Sequence, residues 1–523
     1  MIPKFEYDNV PAVKTTAGYV KGYCYNGTYT FKGVPYGDAQ RFQMPHDPET
    51  WEGIKETTSF GKVCPLLIPE NPKGEMLIPH MYWPEDEHCL FANIWTRHLE
   101  KDAKKPVLLW LHGGGFFAGS SIEQLAYDGA NLSEYGDVVV VSVNHRLNIL
   151  GFMDLESFDK KYKNSSNAGL ADLVQALRWL RDNISEFGGD PDNITLFGQS
   201  GGGMKVTALM QIPEAEGLFH KGIVMSGVAG NMMPYAKGNG RAIVLAMLKE
   251  LDISEKEIEK IETVPISTLQ RAYLKVVKDV AKTGEYVGNN PMINDYFLGE
   301  PQVTYFSEQA KKTPLIVGSV YSEFASLNPA PFNKQELTID EMRQILSARF
   351  KDKTEQIIES FKIAYPDKKI VDALFIDPFF RDSSKELVKA KAKYKEAPTY
   401  SYVFAYEFPC DHGRCAWHCS DIPFVFHNID KVPIANTPGI TDRLEDQMSK
   451  AIINFAYTGN PNHEGIPKWD ACKEDDEVTM IFDKECRSAH DYDTALLKHY
   501  HEALPEVTFA ALLAAMGDNK SQH

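Results

Sequence analysis

The sequence predicts an α/β chain built on a large, mostly parallel sheet flanked by helices on both faces. Three observations carry this. Short, fully apolar runs recur, among them Val107-Leu-Leu-Trp-Leu111, Val138-Val-Val-Val-Ser-Val143 and Ile194-Thr-Leu-Phe197. Such runs mark strands buried on both faces, as parallel strands are. Segments with helical spacing separate them, Ala168 to Leu180 being the clearest, and this alternation implies crossover connections. Glycine-rich turns close two of the runs, His112-Gly113-Gly114-Gly115-Phe116 and Gly198-Gln199-Ser200-Gly201-Gly202.

Composition narrows the function classes. The chain has 523 residues, of which 43% are hydrophobic, and a formal net charge of −17. That charge argues against nucleic-acid or anionic-membrane partners, because phosphate binding needs a basic surface. No run approaches the ~18 apolar residues of a membrane span. The N-terminal Met1 to Asp8 lacks an apolar signal core, so a cytoplasmic protein is expected. The N-x-S/T sequons at Asn26, Asn131, Asn164, Asn183 and Asn193 then read as chance matches. Eight cysteines in so long a chain suggest buried thiols and not a disulfide scaffold.

In chain order, the first hundred residues read as β-rich. Tyr19–Tyr25, Asn26-Gly27 and Thr28–Phe31 form a hairpin signal. An irregular Pro-rich stretch runs to Pro79, and Leu90–Trp95 is a further strand. After the alternating segments come Gly222–Ser226 and then a mainly helical elaboration at about 231–395. Ser254-x-x-Glu257 and Thr338-x-x-Glu341 are capping-box signatures in it. One strand, Pro314–Gly318, interrupts it. Core strands resume at Thr399–Ala405 and end at Met480–Phe482. Residues 1–523 are therefore read as one domain, with the helical region laid over the sheet and shaping the pocket. Asp518–His523 is expected to fray.

The two glycine-rich turns suggest chemistry. Gly198-Gln199-Ser200-Gly201-Gly202 between a strand and a helix has the G-x-S-x-G form of the nucleophile elbow of α/β-hydrolases. A serine needs a base, a group that orients the base, and donors for the oxyanion. The glycine loop after Leu111 offers the Gly114 and Gly115 N–H groups, and the helix start adds Gly201 N–H. The acid falls between serine and histidine in chain order, and Glu323, just past Pro314–Gly318, is the candidate. His418 follows the strand near residue 400. By order alone His412, His427 and His463 also qualify. The loop Cys410-Asp-His412-Gly-Arg-Cys415-Ala-Trp-His418-Cys419 raises zinc as a rival, although the spacing lacks the usual C-x2-C pairs. Buried thiols, or a Cys410–Cys415 disulfide, are simpler readings.

At this point the chain resembles the type-B carboxylesterase/lipase family of α/β-hydrolases, closest in pattern to its bacterial carboxylesterases. Phe187-Gly-Gly-Asp-Pro-Asp-Asn-Ile-Thr-Leu-Phe-Gly-Gln-Ser-Gly-Gly202 is similar to the family's serine signature, with Gln199 for the usual Glu and Gly201 for the usual Ala. Glu87-His-Cys-Leu-Phe-Ala-Asn-Ile-Trp95 resembles its second signature, with His88 for Asp. Phe31–Tyr36, Arg41-Phe42, Asn144–Leu147, Gly151-Phe152 and Thr458–Pro461 match as well, so the resemblance spans nearly the whole chain and is weakest at 231–395.

The resemblance implies a Ser200–His418–Glu323 triad and an oxyanion hole of Gly114, Gly115 and Gly201. It implies Asp421 as a carboxylate behind His418 and Ser226 as its buried support. Phe324 stands where a glycine often follows the acid. The implied substrate is a small-molecule ester, broad in kind and apolar, with Phe116, Phe117, Phe324 and Trp417 expected to line the pocket. The implied reaction needs no metal and no cofactor, and the protein would be a monomer or homodimer. Cys64 and Cys89 fall on a disulfide of secreted relatives and would be reduced in the cytosol. The same machinery would serve amide or carbamate hydrolysis or transacylation. A non-catalytic interaction protein on this fold is a remoter reading, since relatives of that kind usually lack the serine.

Overall fold

The computed structural model describes residues 4–67, 79–228 and 238–504. The N-terminal Met1–Pro3, parts of the Pro-rich stretch (68–78), the opening of the helical region (229–237) and the fraying expected at Asp518–His523 lie outside them.

Twelve strands make the main sheet: β1 (Phe5–Glu6), β2 (Tyr23–Tyr25), β3 (Thr28–Pro35), β4 (Phe91–Thr96), β5 (Lys105–Leu111), β6 (Val139–Val143), β7 (Gly189–Gln199), β8 (Lys221–Met225), β9 (Leu315–Val320), β10 (Thr399–Phe404), β11 (Val478–Phe482) and β12 (Arg487–His490). Their spatial order is β1-β2-β3-β4-β6-β5-β7-β8-β9-β10-β11-β12. From β6 to β11 every pairing is parallel. The pairings outside that run are antiparallel. The fold is thus the expected large, mostly parallel sheet.

Side chains of one strand go alternately to opposite faces, and both faces are buried. Val107, Leu109 and Leu111 of β5 join one apolar cluster; Leu108 and Trp110 join the other. Helices α1 (Ala168–Asn183), α2 (Gly201–Leu209) and α3 (Arg241–Glu250) pack on the first face. Helices α4 (Ile339–Phe350) and α5 (Thr354–Ala364) cover the second, and α6 (Pro378–Ala392) returns to the first. The helical region therefore divides between the two faces.

Three local expectations differ from the structure. Tyr19–Tyr25 is not one strand: Tyr19–Lys21 joins a separate three-stranded sheet, and only Tyr23–Tyr25 pairs with β3. The break is at Gly22, where a Cβ would lie 2.1 Å from Thr30 O. Asn26 and Gly27, both at positive φ, still turn the hairpin. Ser254 caps a 3-10 segment, Glu255–Glu262, and not an α-helix. Thr338 and Glu341 do form the full capping box of α4. Lastly, β11 is not the final strand, since β12 pairs with it antiparallel.

Candidate active site

Ser200 stands between the end of β7 and the start of α2, at φ 56° and ψ −123°. A turn this sharp requires bare backbone around it. A Cβ at Gly202 would lie 1.9 Å from Leu111 O, and one at Gly198 would lie 2.5 Å from Gly202 C. Ser200 N donates to Met225 O at 2.8 Å, which ties the elbow to β8.

The glycine loop after β5 lies directly over the elbow. A Cβ at Gly113 would be 3.6 Å from Ser200 Cβ, and one at Gly201 only 2.2 Å from Gly115 N. Gly114 and Gly115 both hold positive φ. Among the described residues no acceptor takes the N–H of either. Gly201, as the first residue of α2, has an N–H that the helix leaves unpaired. These three donors come from segments in backbone contact.

Glu323 and His418 follow adjacent parallel strands, β9 and β10. Backbone bonds continue the pairing past the strand ends: Ser322 N donates to Ala416 O and His418 N to Glu323 O, each at 3.0 Å. This register aims Glu323 Oε2 at His418 Nδ1, 2.5 Å away. Glu323 Oε1 accepts from Val320 N at 2.9 Å. Glu323 is fully buried and held at φ 44°. With the Nδ1 proton directed at a carboxylate, His418 Nε2 is the acceptor. Gln199 Nε2 donates to it at 3.1 Å, and Cys419 Sγ donates to Gln199 Oε1 at 3.2 Å. Among the described residues no hydrogen bond joins Ser200 Oγ to His418. The rings of Phe324 and Phe380 lie against the imidazole, at centroid distances of 4.4 and 5.2 Å.

Behind the pair, burial pushes the Asp421 carboxyl up to about 7; the Tyr402 hydroxyl opposes the rise and the Glu323 charge adds to it. Burial, then the same charge, pushes Asp377 well above the carboxylate range. Both carboxyls beside Glu323 are thus driven toward their neutral forms.

Other expected residues are placed differently. Ser226 Oγ and Asp421 Oδ1 are buried and each lacks a hydrogen-bond partner, so the Ser226 support for Asp421 is not formed. Tyr402 OH, 2.8 Å from Asp421 Oδ2, holds the carboxyl instead. Phe116 and Trp417 are core residues, the first edge-on to Phe152 and the second 4.3 Å from Phe408. Phe117 is exposed beside Gly115. All eight cysteines are free. Among the described residues no three His, Cys, Asp or Glu side chains converge as metal ligands, and no helix is long and apolar enough to cross a membrane. Gln199, Phe380 and Tyr402 escaped the sequence reading because their partners lie on other elements.

Residues 9–498 match the model of the Carboxylesterase family. The chain belongs to that family. Para-nitrobenzyl esterase of Bacillus subtilis is 32% identical over 92% of this carboxylesterase and 96% of its own length. The solved esterase of anaerobic Clostridium hathewayi, described as able to hydrolyse aliphatic aromatic polyesters, is 52% identical, with TM-score 0.94 over 96% of this chain and all of that one. A thermophilic para-nitrobenzyl esterase superposes with TM-score 0.74 at 30% identity, over 94% of this chain and all of its own. This carboxylesterase is a serine carboxylic ester hydrolase of the α/β-hydrolase fold.

Proposed function

We propose that this esterase cleaves small-molecule carboxylic esters through Ser200, His418 and Glu323. The observation that supports it best is the 2.5 Å Glu323–His418 contact beside a serine on a strained elbow under unpaired N–H groups. Ser200 Oγ attacks the ester carbonyl carbon and its proton passes to His418 Nε2. The carbonyl oxygen becomes an anion held by Gly114, Gly115 and Gly201 N–H, donors worth about 2.7–4 kcal/mol each in the transition state. Collapse expels the alcohol oxygen, which takes the proton from Nε2 and leaves Ser200 acylated. Water then repeats the sequence and releases the acid. Gln199 must give up Nε2 before the first proton transfer, a rearrangement open to a resting site.

A fluorophosphonate should label Ser200. Ser200→Ala should abolish both labelling and p-nitrophenyl butyrate hydrolysis; retained turnover would sink the assignment. Glu323→Gln should lower kcat by roughly 10³–10⁴-fold, as loss of the orienting carboxylate does in other triads.

The substrate class is read from the aromatic surface. Phe324 and Phe380 line His418, and Phe117 is exposed at the glycine loop. Flat apolar walls favour aromatic groups, so the inferred substrates are apolar esters with an aromatic acyl or alcohol part. The activity described for the Clostridium hathewayi relative favours short aliphatic–aromatic oligoesters among them. A panel varying acyl and alcohol parts separately, with matched amides and carbamates, tests this. Equal kcat/KM for aromatic and aliphatic esters of the same size would refute it.

A further inference from the structure

Helix α2 carries one residue that its surroundings do not call for. Its residues are all buried, and between Met204 and Val206 stands Lys205 with no exposed surface. An unpaired ammonium is costly in such a place. The side chain runs from the elbow helix to the glycine loop, where Nζ donates to His112 O at 2.9 Å. That carbonyl belongs to the peptide entering Gly113, where a Cβ would lie 3.6 Å from Ser200 Cβ. Burial pulls the ammonium down to about 7, and the Glu123 carboxylate pulls it back up.

The neighbourhood is arranged around this charge. His112 Nδ1 donates to Gly113 O at 2.9 Å and its ring stacks on His145, 5.1 Å away. Burial and the charge of Lys205 hold both imidazoles well below their ordinary pKa, hence neutral. Glu123 Oε2 would lie 3.2 Å from a Cβ at Gly119, beside the His112 ring. Lys205 therefore sits at the root of a loop whose Gly115 N lies beside the elbow, 2.2 Å from a Cβ at Gly201.

We propose that Lys205 is a positioning residue of the oxyanion hole: it clamps the entrance of the glycine loop through His112 O and, when protonated, sets a positive charge behind the donors that receive the developing anion. This rests on the reading of Ser200 as nucleophile and of Gly114 and Gly115 as donors. Such a charge acts on the transition state more than on the bound ester, because only there does the carbonyl oxygen become anionic. A merely structural lysine here would be a poor choice, since an apolar residue of the same length would pack without the desolvation cost.

The test compares Lys205→Met, which removes both bond and charge, with Lys205→Gln, which can still donate to His112 O. Wild type and both variants are first treated with a fluorophosphonate and the labelled residue is located by mass spectrometry. Then kcat and KM for p-nitrophenyl butyrate are measured, with the affinity of an aryl trifluoromethyl ketone, which forms a tetrahedral oxyanion, and of the matching secondary alcohol, which does not. Lys205→Met should keep or raise Tm, lower kcat by at least about tenfold, weaken ketone binding in step, and leave KM and alcohol affinity within about twofold. Lys205→Gln should fall between the two. A label absent from Ser200 in the wild type would overturn the nucleophile assignment itself. A label on Ser200 with wild-type kcat and ketone affinity in Lys205→Met would overturn only the role of Lys205. So would wild-type values in Lys205→Gln if the Met variant does not fold, and so would failure of both variants to fold, which would make the lysine a structural strut.

Discussion

Asp421 illustrates how much of the site is set by single side chains. It lies beyond His418 on the same loop, fully buried, with one oxygen on Tyr402 OH and the other without a partner. Its folded pKa, pushed to about 7 by burial, stands above the ordinary 3.8. A raised carboxyl pKa means that the folded state holds a proton the unfolded state has released. The group's contribution is therefore fully present below about pH 4, is lost as pH rises toward 7, and stays lost above it. Asp421→Asn keeps an acceptor for Tyr402 and removes the titration. Its Tm relative to wild type should be higher at pH 8 than at pH 5; a difference that does not change with pH would show that Asp421 does not titrate in that range. This scale also marks what was legible in the sequence. Ser200, Glu323 and His418 could be picked out because chain order and the flanking strands limited the choices. Lys205, Gln199 and Tyr402 could not, because each has its meaning from an atom on another element. Phe116 and Trp417 misled for a related reason: an aromatic next to a site residue in sequence points elsewhere when the backbone turns.

At the scale of elements, the elbow and the glycine loop behave as one unit, and Gly201 is where they touch. An alanine there would put its Cβ 2.2 Å from Gly115 N, a distance the loop must relieve by moving. Alanine is also the better helix former, by about 1 kcal/mol. The forced backbone shift outweighs that gain, so Gly201→Ala is expected to lower Tm and to lower kcat at least about tenfold, the penalty of displaced oxyanion donors. A variant with wild-type kcat would mean that the loop absorbs the methyl group without loss. The elements themselves were readable where the physics is local. Fully apolar runs became parallel strands within one or two residues of the expected ends, except that β7 begins at Gly189, ahead of Ile194. The final strand, Arg487–His490, has no apolar face to announce it and exists through pairing with Val478–Phe482. The Ser254 segment shows the converse, since a capping pattern marks where a helix starts and not which helix follows.

Across the whole molecule, the sheet supplies a rigid edge on which strained residues are held. Ser200, Ser226 and Glu323 follow β7, β8 and β9 in turn, all at positive φ, at a cost of about 1–3 kcal/mol each. That edge depends on packing from distant parts of the chain. Phe380, against His418, sits in the first turn of α6, and the next residue, Arg381, anchors that helix. Arg381 reaches Asp493 at 2.6 Å and Glu477 at 2.8 Å, with all three nearly buried and Lys385 beside both carboxylates. Burial alone would raise Asp493, but the Arg381 and Lys385 charges outweigh it and bring the carboxyl down to about 2. Removing Arg381 would leave two buried carboxylates to share Lys385, a loss of up to about 3–5 kcal/mol. Arg381→Met should therefore lower the urea midpoint markedly at pH 7. A depressed carboxyl pKa contributes stability that is present above the unfolded value and lost as pH falls through the folded one. Acid therefore strips the wild type of what the variant already lacks, and the gap between their midpoints should narrow from pH 7 to pH 3. A gap of constant size would place the loss in packing of the arginine stem and not in the charges it balances.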